Sequence, residues 1–316
     1  MTVQKLIMTL TAFGILAIND VMASGIISHD TDANQIFDLS FYQKQLKSKN
    51  NLLISFDEEN ELLRQLSEFE LGRFLLKNKG LNGYWTSYVI LQGPQKENLH
   101  PLEQWILHKA PVVKATQERF QIFKLQLQKN LRNDIKIMSI PCGLMDDLLS
   151  LDFNGFDNVR LVGADLDEDT LLGAKKNATT KYNLTNVDFI KIDAWKLGAV
   201  EEYDIITSNG LNIYQPNDEK VIDLYKKFYQ ALKPGGILIT SFLTPPPSIS
   251  TESTWKNFDL SDALKQKVLF SDIIQVNWQT FRTEAQTRLQ LAKAGFKTIE
   301  FINDSCSIFP TVTAIK

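Results

Sequence analysis

The residues with the clearest chemical potential follow two neighbouring apolar segments in the second half of the chain. The segment IKIMSI leads into the turn Pro141-Cys142-Gly143, and the segment VRLVGAD ends at Asp165. A strand that turns abruptly into a helix brings backbone N–H groups towards a ligand. A carboxylate about twenty residues after such a turn can accept hydrogen bonds from both hydroxyls of a ribose. The order of these residues therefore predicts a nucleoside site.

A second carboxylate, Asp193, ends the next apolar segment and extends this interpretation. It can accept a hydrogen bond from the exocyclic amine of adenine, and the backbone N–H of Ala194 can meet a ring nitrogen. Together with Asp165 it predicts an adenosine-containing ligand. The alternative is that both aspartates only end strands. NAD is the competing ligand, but Pro141 and Met145 stand where its G-x-G-x-x-G signature requires glycines.

The fourth apolar segment is followed by SNGLNIY, residues 208–214, whose polar side chains could hold a second molecule. We predict that Asn209 and Asn212 orient a polar acceptor and that Tyr214 packs against it. These three residues are the candidates for a catalytic role. The alternative is that Asn209-Gly210 forms an ordinary turn.

These residues can meet only if the segments form one sheet. From residue 132 onward, near-continuous apolar runs alternate with helical stretches, which is typical of a parallel sheet covered on both faces. Ligands bind such sheets at the carboxyl ends of the strands. The last two runs are joined too closely for a helical crossover. Residues 132–316 are therefore predicted to form an α/β fold, a doubly wound, seven-stranded, mostly parallel sheet with an antiparallel last strand.

Two sequence patterns predict helices at particular residues. Thr283 and Gln286 form a predicted capping box before a helix. In the first part of the chain, Leu62, Leu66 and Leu76 recur at helical spacing. Residues 26–131 are accordingly predicted to be a mainly helical region that serves as a lid or substrate cap.

The N-terminal residues 1–25 form a separate apolar segment. The run 6–18 follows Lys5 and precedes VMASG, a pattern typical of a secretory signal peptide. The run is too short for a stable membrane span. The alternatives are an apolar helix or a start codon placed too far upstream.

Composition limits the classes of function. The chain has 316 residues, 44% hydrophobic and 22% charged, and a formal net charge of -3 without a basic block. This balance argues against a protein that binds the phosphate backbone of nucleic acid. The two cysteines and three histidines share no metal-ligand spacing, so no metal site is predicted.

The order IMSIPCG, VGADLD, KIDAWK, SNGL, LKPGG and AGF resembles the class I S-adenosylmethionine-dependent methyltransferases. The resemblance covers about residues 135–316. It departs from the family in the first motif, where Ser139 replaces an acidic residue and Pro141 and Met145 replace glycines. LKPGG resembles the loop before the fifth strand.

The resemblance implies roles for particular residues. The cofactor would be S-adenosylmethionine, with its methionine end at the first turn, its ribose at Asp165 and its adenine beside Leu166. The residues implied in cofactor binding are Ser139, Pro141, Cys142, Gly143, Asp165, Leu166, Asp193, Ala194 and Asn209. Apart from the resemblance, Tyr84, Trp85 and Tyr88 could cover the sulfonium cation or simply pack in the core of the helical region. Arg282 could bind an acidic substrate or pair with a neighbouring carboxylate.

The expected function is methyl transfer to a small-molecule acceptor by in-line displacement, with the enzyme acting mainly by positioning. An RNA or protein methyltransferase, a nicotinamide oxidoreductase and a non-catalytic S-adenosylmethionine-binding protein are the alternatives. Because the cofactor is a cytosolic metabolite, a cytoplasmic location is expected; export is the alternative if residues 6–18 form a signal-peptide core. The sequence does not predict the oligomeric state.

Overall fold

The structure, a computed structural model, describes residues 37–316. The predicted apolar segment 1–25 lies outside the described residues. Within the described part of the chain, no helix has both the length and the apolar content needed to cross a membrane.

The N-terminal part of the described chain is helical. Its helices are α1 (Leu39–Lys47), α2 (Phe56–Leu66), α3 (Glu70–Asn78), α4 (Gly83–Ser87), α5 (Pro101–His108) and α6 (Pro111–Lys129). A wider π-helical turn, Tyr88–Gln92, continues α4 and leads into a short 3₁₀ turn, Gly93–Gln95.

The apolar residues with helical spacing belong to two helices. Leu62 and Leu66 lie in α2, whereas Leu76 lies in α3. Gly72 makes the sharp reversal between them sterically feasible, because a Cβ at this position would stand 2.1 Å from the carbonyl oxygen of Leu66. The chain therefore folds back at the end of α2.

The sheet has seven strands in the order β3-β2-β1-β4-β5-β7-β6. The strands are β1 (Lys136–Ser139), β2 (Arg160–Asp165), β3 (Val187–Lys191), β4 (Tyr203–Ser208), β5 (Leu232–Ser241), β6 (Thr298–Ile302) and β7 (Thr311–Ile315). β1 pairs in parallel with β2 and β4, and β7 pairs antiparallel with both β5 and β6. The predicted mostly parallel sheet with an antiparallel last strand is confirmed.

Helices between the strands cover both faces. They are α7 (Asp146–Leu149), α8 (Glu168–Lys176), α9 (Asp218–Ala231) and α11 (Glu284–Ala294), whereas α10 (Leu260–Lys267) packs with the N-terminal helices. The capping box before α11 is confirmed, because the Gln286 N–H donates to Thr283 Oγ1 at 3.2 Å and the Thr283 N–H donates to Gln286 Oε1 at 2.8 Å.

LKPGG is part of β5 and does not form a separate loop. Leu232 already pairs with Tyr203 of β4, and the register shifts before Ile237 pairs with Ile205. Gly235 adopts a φ of +74° within this irregular start, a conformation that glycine takes without steric cost.

The buried apolar residues form three clusters, one on each face of the sheet and one in the helical region. α9 and α11 pack on one face of the sheet, and α6, α7 and α8 pack on the other. The core of the N-terminal helices also includes Leu243, Leu269 and Phe309 from the C-terminal half. This packing fixes the N-terminal helices over the carboxyl ends of the central strands.

Candidate active site

A cavity of about 710 Å³ lies at the carboxyl ends of the central strands, beneath the N-terminal helices. The strand order reverses direction between β1 and β4, and such a reversal opens a crevice at that edge. Every residue predicted to bind the adenosine ligand lines this cavity: Ser139, Pro141, Cys142, Gly143, Asp165, Leu166, Asp193, Ala194 and Asn209. The structure thus brings them together, and their individual roles stay predictions.

The turn after β1 is held by backbone hydrogen bonds. The Cys142 N–H donates to the carbonyl of Ala164 at 2.8 Å, which ties the turn to β2. Gly143 has a φ of +52°, in the left-handed region that favours glycine. Burial raises the pKa of the Cys142 thiol well above its usual value. The thiol is therefore protonated at neutral pH and is not poised as a nucleophile.

Asp165 links this turn to the end of β2. Its Oδ2 accepts the Gly143 N–H at 3.0 Å and its Oδ1 accepts the Asp167 N–H at 3.1 Å. Burial raises the pKa of Asp165, and these backbone hydrogen bonds oppose that increase. An ionised carboxylate offers about four acceptor sites, so both oxygens can still accept from ligand hydroxyls.

Asp193 has one carboxylate oxygen bound locally and one available. Oδ1 accepts the Trp195 N–H at 3.0 Å, whereas Oδ2 lies 3.7 Å from Lys196 Nζ. Ala194 begins the short 3₁₀ turn Ala194–Lys196. Leu166 and Trp195 also line the cavity and supply apolar surface for a flat ring.

Asp147 brings a carboxylate back to the end of β1. Its Oδ2 accepts hydrogen bonds from Ser139 Oγ at 3.1 Å and Thr207 Oγ1 at 2.9 Å. Burial raises the pKa of Asp147, and within residues 37–316 no cation lies in ion-pair range of it. A carboxylate therefore lies beside Ser139 at the end of β1, although residue 139 itself is not acidic.

The neighbouring Asp146 joins the helical region predicted to be the lid to the segment that follows α8. Its Oδ2 accepts from Ser87 Oγ at 2.6 Å, and its Oδ1 accepts from Lys181 Nζ and the Tyr182 hydroxyl, both at 2.9 Å. A Cβ on Gly83 would lie 3.0 Å from the Gly143 Cα. Helix α4 therefore rests directly on the turn after β1 and forms part of the roof of the cavity.

The loop after β4 contributes two of the three predicted catalytic candidates. Asn209 lines the cavity, and its Oδ1 accepts from Ser241 Oγ at 3.2 Å. Tyr214 also lines it, and burial raises its pKa to about 12. Asn212 does not line the cavity: its Nδ2 donates to the Tyr225 hydroxyl at 2.9 Å and holds the loop against α9.

Arg282 does not line the cavity either, because its guanidinium is bound elsewhere. Its Nε donates to Asp218 Oδ1 at 3.0 Å, and its Nη1 and Nη2 donate to the carbonyls of Asn212 and Gln215 at 2.9 and 2.6 Å. Of the two alternatives for this residue, these contacts favour pairing with a neighbouring carboxylate.

The predicted aromatic cover is absent from the cavity lining. Tyr84 is 47% exposed, and Trp85 is buried between Phe74 and Tyr88, with ring centroids 5.7 and 5.1 Å away. Trp85 therefore packs in the core of the helical region. The lid contacts the cavity instead through residues such as Ser87, Ile90 and Leu91.

Sequence reasoning missed several polar residues of the cavity, among them Ser87, Arg119, Asp146 and Asp147. Asp146 and Asp147 were visible only as acidic residues at a helix start, and Ser87 gave no signal at all. Arg119 did give one: it follows Ala115 and precedes Phe123 at four-residue spacing, so a charge interrupts the apolar stripe of α6.

The charges around the cavity favour a ligand with hydroxyls and a positive group. Asp146 is paired with Lys181, whereas Asp147 and Asp165 have no ion-pair partner among the described residues. Leu144 and Met145, not glycines, follow Gly143 in the turn, which does not suit the close approach of a diphosphate. Within residues 37–316 no group of three or more His, Cys, Asp or Glu side chains is arranged to hold a metal ion.

Comparison with known proteins gives three kinds of result. Residues 131–286 match a family model described as a methyltransferase domain. A solved structure from Bordetella parapertussis, described as a possible exported protein, shares 42% identity with a TM-score of 0.84, over 88% of this chain and 94% of that one. None of the curated proteins matches.

Two more distant structures share the fold. A candidate O-methyltransferase from Nostoc punctiforme PCC 73102 is 18% identical with a TM-score of 0.50, over 77% of this chain and 69% of that one. The CurJ carbon methyltransferase is 13% identical with a TM-score of 0.50, over 83% of this chain and 71% of that one.

Proposed function

This chain belongs to the class I S-adenosylmethionine-dependent methyltransferase superfamily, and we propose that it methylates a small-molecule acceptor held between the cofactor and the N-terminal helices. The observation that carries the proposal is a pair of carboxylates without cation partners among residues 37–316, the buried Asp147 beside β1 and the half-buried Asp165 at the end of β2. Both line the cavity. They suit the two ends of a ligand that has an ammonium group and a ribose.

The remaining cofactor assignments follow from the same edge of the sheet. Asp165 binds the ribose hydroxyls, and Asp193 with the backbone of Ala194 binds the edge of adenine. Leu166 packs against the adenine ring. The turn with Ser139, Pro141, Cys142 and Gly143 surrounds the methionine end, where Asp147 takes the place of the acid that the first motif lacks.

The residues of this chain act by positioning. When bound, S-adenosylmethionine supplies a methyl group on a positively charged sulfur, which an acceptor atom can attack in line. Asn209 has its Oδ1 engaged by Ser241, so its Nδ2 is left to donate to the acceptor. Burial raises the pKa of Tyr214 to about 12, so its hydroxyl stays protonated at neutral pH. It therefore acts as a hydrogen-bond donor and not as a general base.

The size and cover of the cavity support a small acceptor. Its volume, about 710 Å³, lies within the usual range of roughly 300–1,000 Å³ for small-molecule sites. Helix α4 lies against the turn after β1, and α6 contributes Phe120 to the lining. A formal net charge of -3 also gives little attraction for an RNA acceptor.

Calorimetric titration tests the cofactor assignment. S-adenosylmethionine and S-adenosylhomocysteine should bind saturably, NAD should not, and Asp165→Ala should abolish the binding of both. Asp157→Asn, on an exposed loop, is the control for loss of one negative charge. Failure of S-adenosylhomocysteine to bind a folded protein, or equal binding by Asp165→Ala, would overturn the proposal.

The acceptor class is tested with methyl-labelled S-adenosylmethionine and a cell extract separated into RNA, protein and low-molecular-mass fractions. Label should enter the low-molecular-mass fraction, and only with enzyme that retains Asp165. Label in RNA or protein would assign the acceptor to that class instead. An intact cofactor site with no labelled product would favour the non-catalytic alternative.

We also propose a cytoplasmic location, because the methyl donor is made and used in the cytosol. The Bordetella relative, described as a possible exported protein, and the apolar run at residues 6–18 favour the alternative. N-terminal sequencing of the protein from separated cell fractions decides between them. An N-terminus beginning at Ser24 outside the cytoplasm would contradict our proposal.

A further inference from the structure

Arg119 is a buried cation that the proposed cofactor site does not use. It lies in the middle of α6, is 6% exposed and lines the cavity. Its Nη1 makes a long hydrogen bond of 3.3 Å to Ser241 Oγ, and its Nε is buried without an acceptor in the described part of the chain. Taking a guanidinium out of water costs free energy unless its charge and its donors find partners.

The surroundings of Arg119 compensate its charge only in part. The guanidinium lies over the ring of Phe309, 4.2 Å from the ring centroid. Among the described acidic residues, Asp304 has the largest electrostatic effect on Arg119, but its carboxylate accepts the backbone N–H groups of Cys306, Ile308 and Phe309 and forms no ion pair with Arg119 within 4.0 Å.

Arg119 nevertheless remains charged. Burial lowers its pKa to about 10, which is still well above neutral pH. The cavity therefore contains a permanent positive charge with unused hydrogen-bond donors. Such a group is suited to an anionic oxygen group of a ligand, because a guanidinium can bind a carboxylate through two parallel hydrogen bonds.

We propose that Arg119 binds a carboxylate of the methyl acceptor, so that the substrate class is small carboxylic acids; this rests on the proposed function. The neighbours of Arg119 lie on the acceptor side of the site. Ser241 ends β5 and Phe309 precedes β7, whereas Asp147 lies beside β1. β5 is two strands from β1, or about 10 Å at the usual spacing.

Two hydrogen bonds connect Arg119 to Asn209, which follows β4. Arg119 Nη1 donates to Ser241 Oγ, and Ser241 Oγ donates to Asn209 Oδ1 at 3.2 Å. These hydrogen bonds hold the Asn209 amide in place, so that its Nδ2 can donate a second hydrogen bond to the same acceptor. Arg119 would thus hold the acid group, and Asn209 would orient the nucleophilic part towards the methyl group.

The test uses a small carboxylate and its neutral counterpart. Binding of trifluoroacetate and trifluoroacetamide to protein saturated with S-adenosylhomocysteine is followed by ¹⁹F NMR. Trifluoroacetate should bind and trifluoroacetamide should not. Arg119→Met should weaken trifluoroacetate binding by roughly 10- to 150-fold, the range for a hydrogen bond to a charged group. Arg160→Gln, on an exposed position at the start of β2, should change nothing.

A second variant and a second measurement show whether a change in trifluoroacetate binding comes from the lost guanidinium. Arg119→Lys retains the positive charge but lacks the planar guanidinium with its paired donors, so it should bind trifluoroacetate with intermediate affinity. This variant tests the role of Arg119 if Arg119→Met does not fold. Calorimetry with S-adenosylhomocysteine and with 5′-methylthioadenosine, which lacks the amino-acid part, identifies the source of the carboxylate. Both ligands should bind Arg119→Met as they bind the wild type.

The outcomes separate this inference from the proposed function. Equal binding of trifluoroacetate to wild type and Arg119→Met, or equal binding of the acid and the amide, overturns the inference while cofactor binding stands. Loss of S-adenosylhomocysteine but not of 5′-methylthioadenosine in Arg119→Met would assign the arginine to the carboxylate of the cofactor. Absence of S-adenosylhomocysteine binding in the wild type would refute the proposed function itself.

Discussion

Replacing Asp147 by asparagine should weaken cofactor binding and stabilise the ligand-free protein at the same time. The carboxylate is 8% exposed, accepts from the neutral hydroxyls of Ser139 and Thr207 and from the backbone N–H of Leu148, and has no cation partner among residues 37–316. Its charge therefore costs free energy in the ligand-free fold and is offset when an ammonium group binds beside it.

The effect on affinity can be estimated from this geometry. A hydrogen bond between charged groups contributes roughly 1.5–3 kcal/mol, so Asp147→Asn should raise the dissociation constant of S-adenosylhomocysteine about 10- to 150-fold. This ligand isolates the ammonium group because its sulfur is uncharged. The affinity for 5′-methylthioadenosine, which has no ammonium group, should not change.

The effect on stability should depend on pH. Burial raises the pKa of Asp147 above the ordinary 3.8, so the folded protein prefers the neutral carboxyl. The stabilisation from protonating Asp147 is fully present below pH 3.8 and is lost as pH rises through the folded-state pKa. Asp147→Asn should therefore have the melting temperature of the wild type at low pH and a higher one above that pKa.

Calorimetry measures both effects, with Asp157→Asn as the control for removal of an exposed carboxylate. Unchanged affinity of Asp147→Asn for S-adenosylhomocysteine would refute the assignment of the ammonium site. A lower melting temperature at neutral pH would show that the Asp147 carboxylate stabilises the ligand-free fold, contrary to this reasoning.

Two other substitutions test the lid and the loop after β4. Ser87→Ala removes the hydrogen bond from α4 to the Asp146 carboxylate, so urea unfolding should show a loss of about 1.5–3 kcal/mol in the free energy of unfolding. An unchanged urea midpoint would mean that this hydrogen bond does not hold α4 in place. Arg282→Met removes the guanidinium from the carbonyls of Asn212 and Gln215. The Asn212 carbonyl still accepts the Gln215 N–H at 3.1 Å, so only the Gln215 carbonyl loses its donor, and the free energy of unfolding should fall by roughly 1–3 kcal/mol while the folded variant binds S-adenosylhomocysteine normally. Weaker ligand binding at unchanged stability would instead give Arg282 a role in substrate binding.

The sheet and its ligand-binding edge could be predicted because they depend on local patterns. Buried parallel strands are apolar throughout, and the polar residues that end them mark the carboxyl edge. Asp165 and Asp193 were identified in this way, and both line the cavity. The short connection before β7 fixed its antiparallel direction, because a crossover would need more residues.

The rest of the site depends on contacts between distant parts of the chain. Ser87 meets Asp146 across 59 residues, and Arg119 meets Ser241 across 122 residues. No local pattern encodes such pairs. The aromatic residues of this segment likewise did not indicate which side chains line the cavity, because Trp85 packs in the core of the helical region and Tyr84 faces solvent.

The position of the missing acid illustrates the same limit. In the sequence, Ser139 stands where an acidic residue is expected, and the loss of charge suggested a weakened site. In three dimensions the helix start at Asp147 returns to the end of β1, and its carboxylate lies 3.1 Å from Ser139 Oγ. The carboxylate therefore lies beside the strand although its residue is eight positions further along the chain.

A crystal structure of the protein with S-adenosylhomocysteine would show where each end of the cofactor binds. We predict density along the carboxyl edge, with the ribose hydroxyls within hydrogen-bond distance of Asp165, the ammonium group beside Asp147 and Arg119 free of the ligand. A ligand bound with its ammonium group away from Asp147, or outside this cavity, would contradict the account.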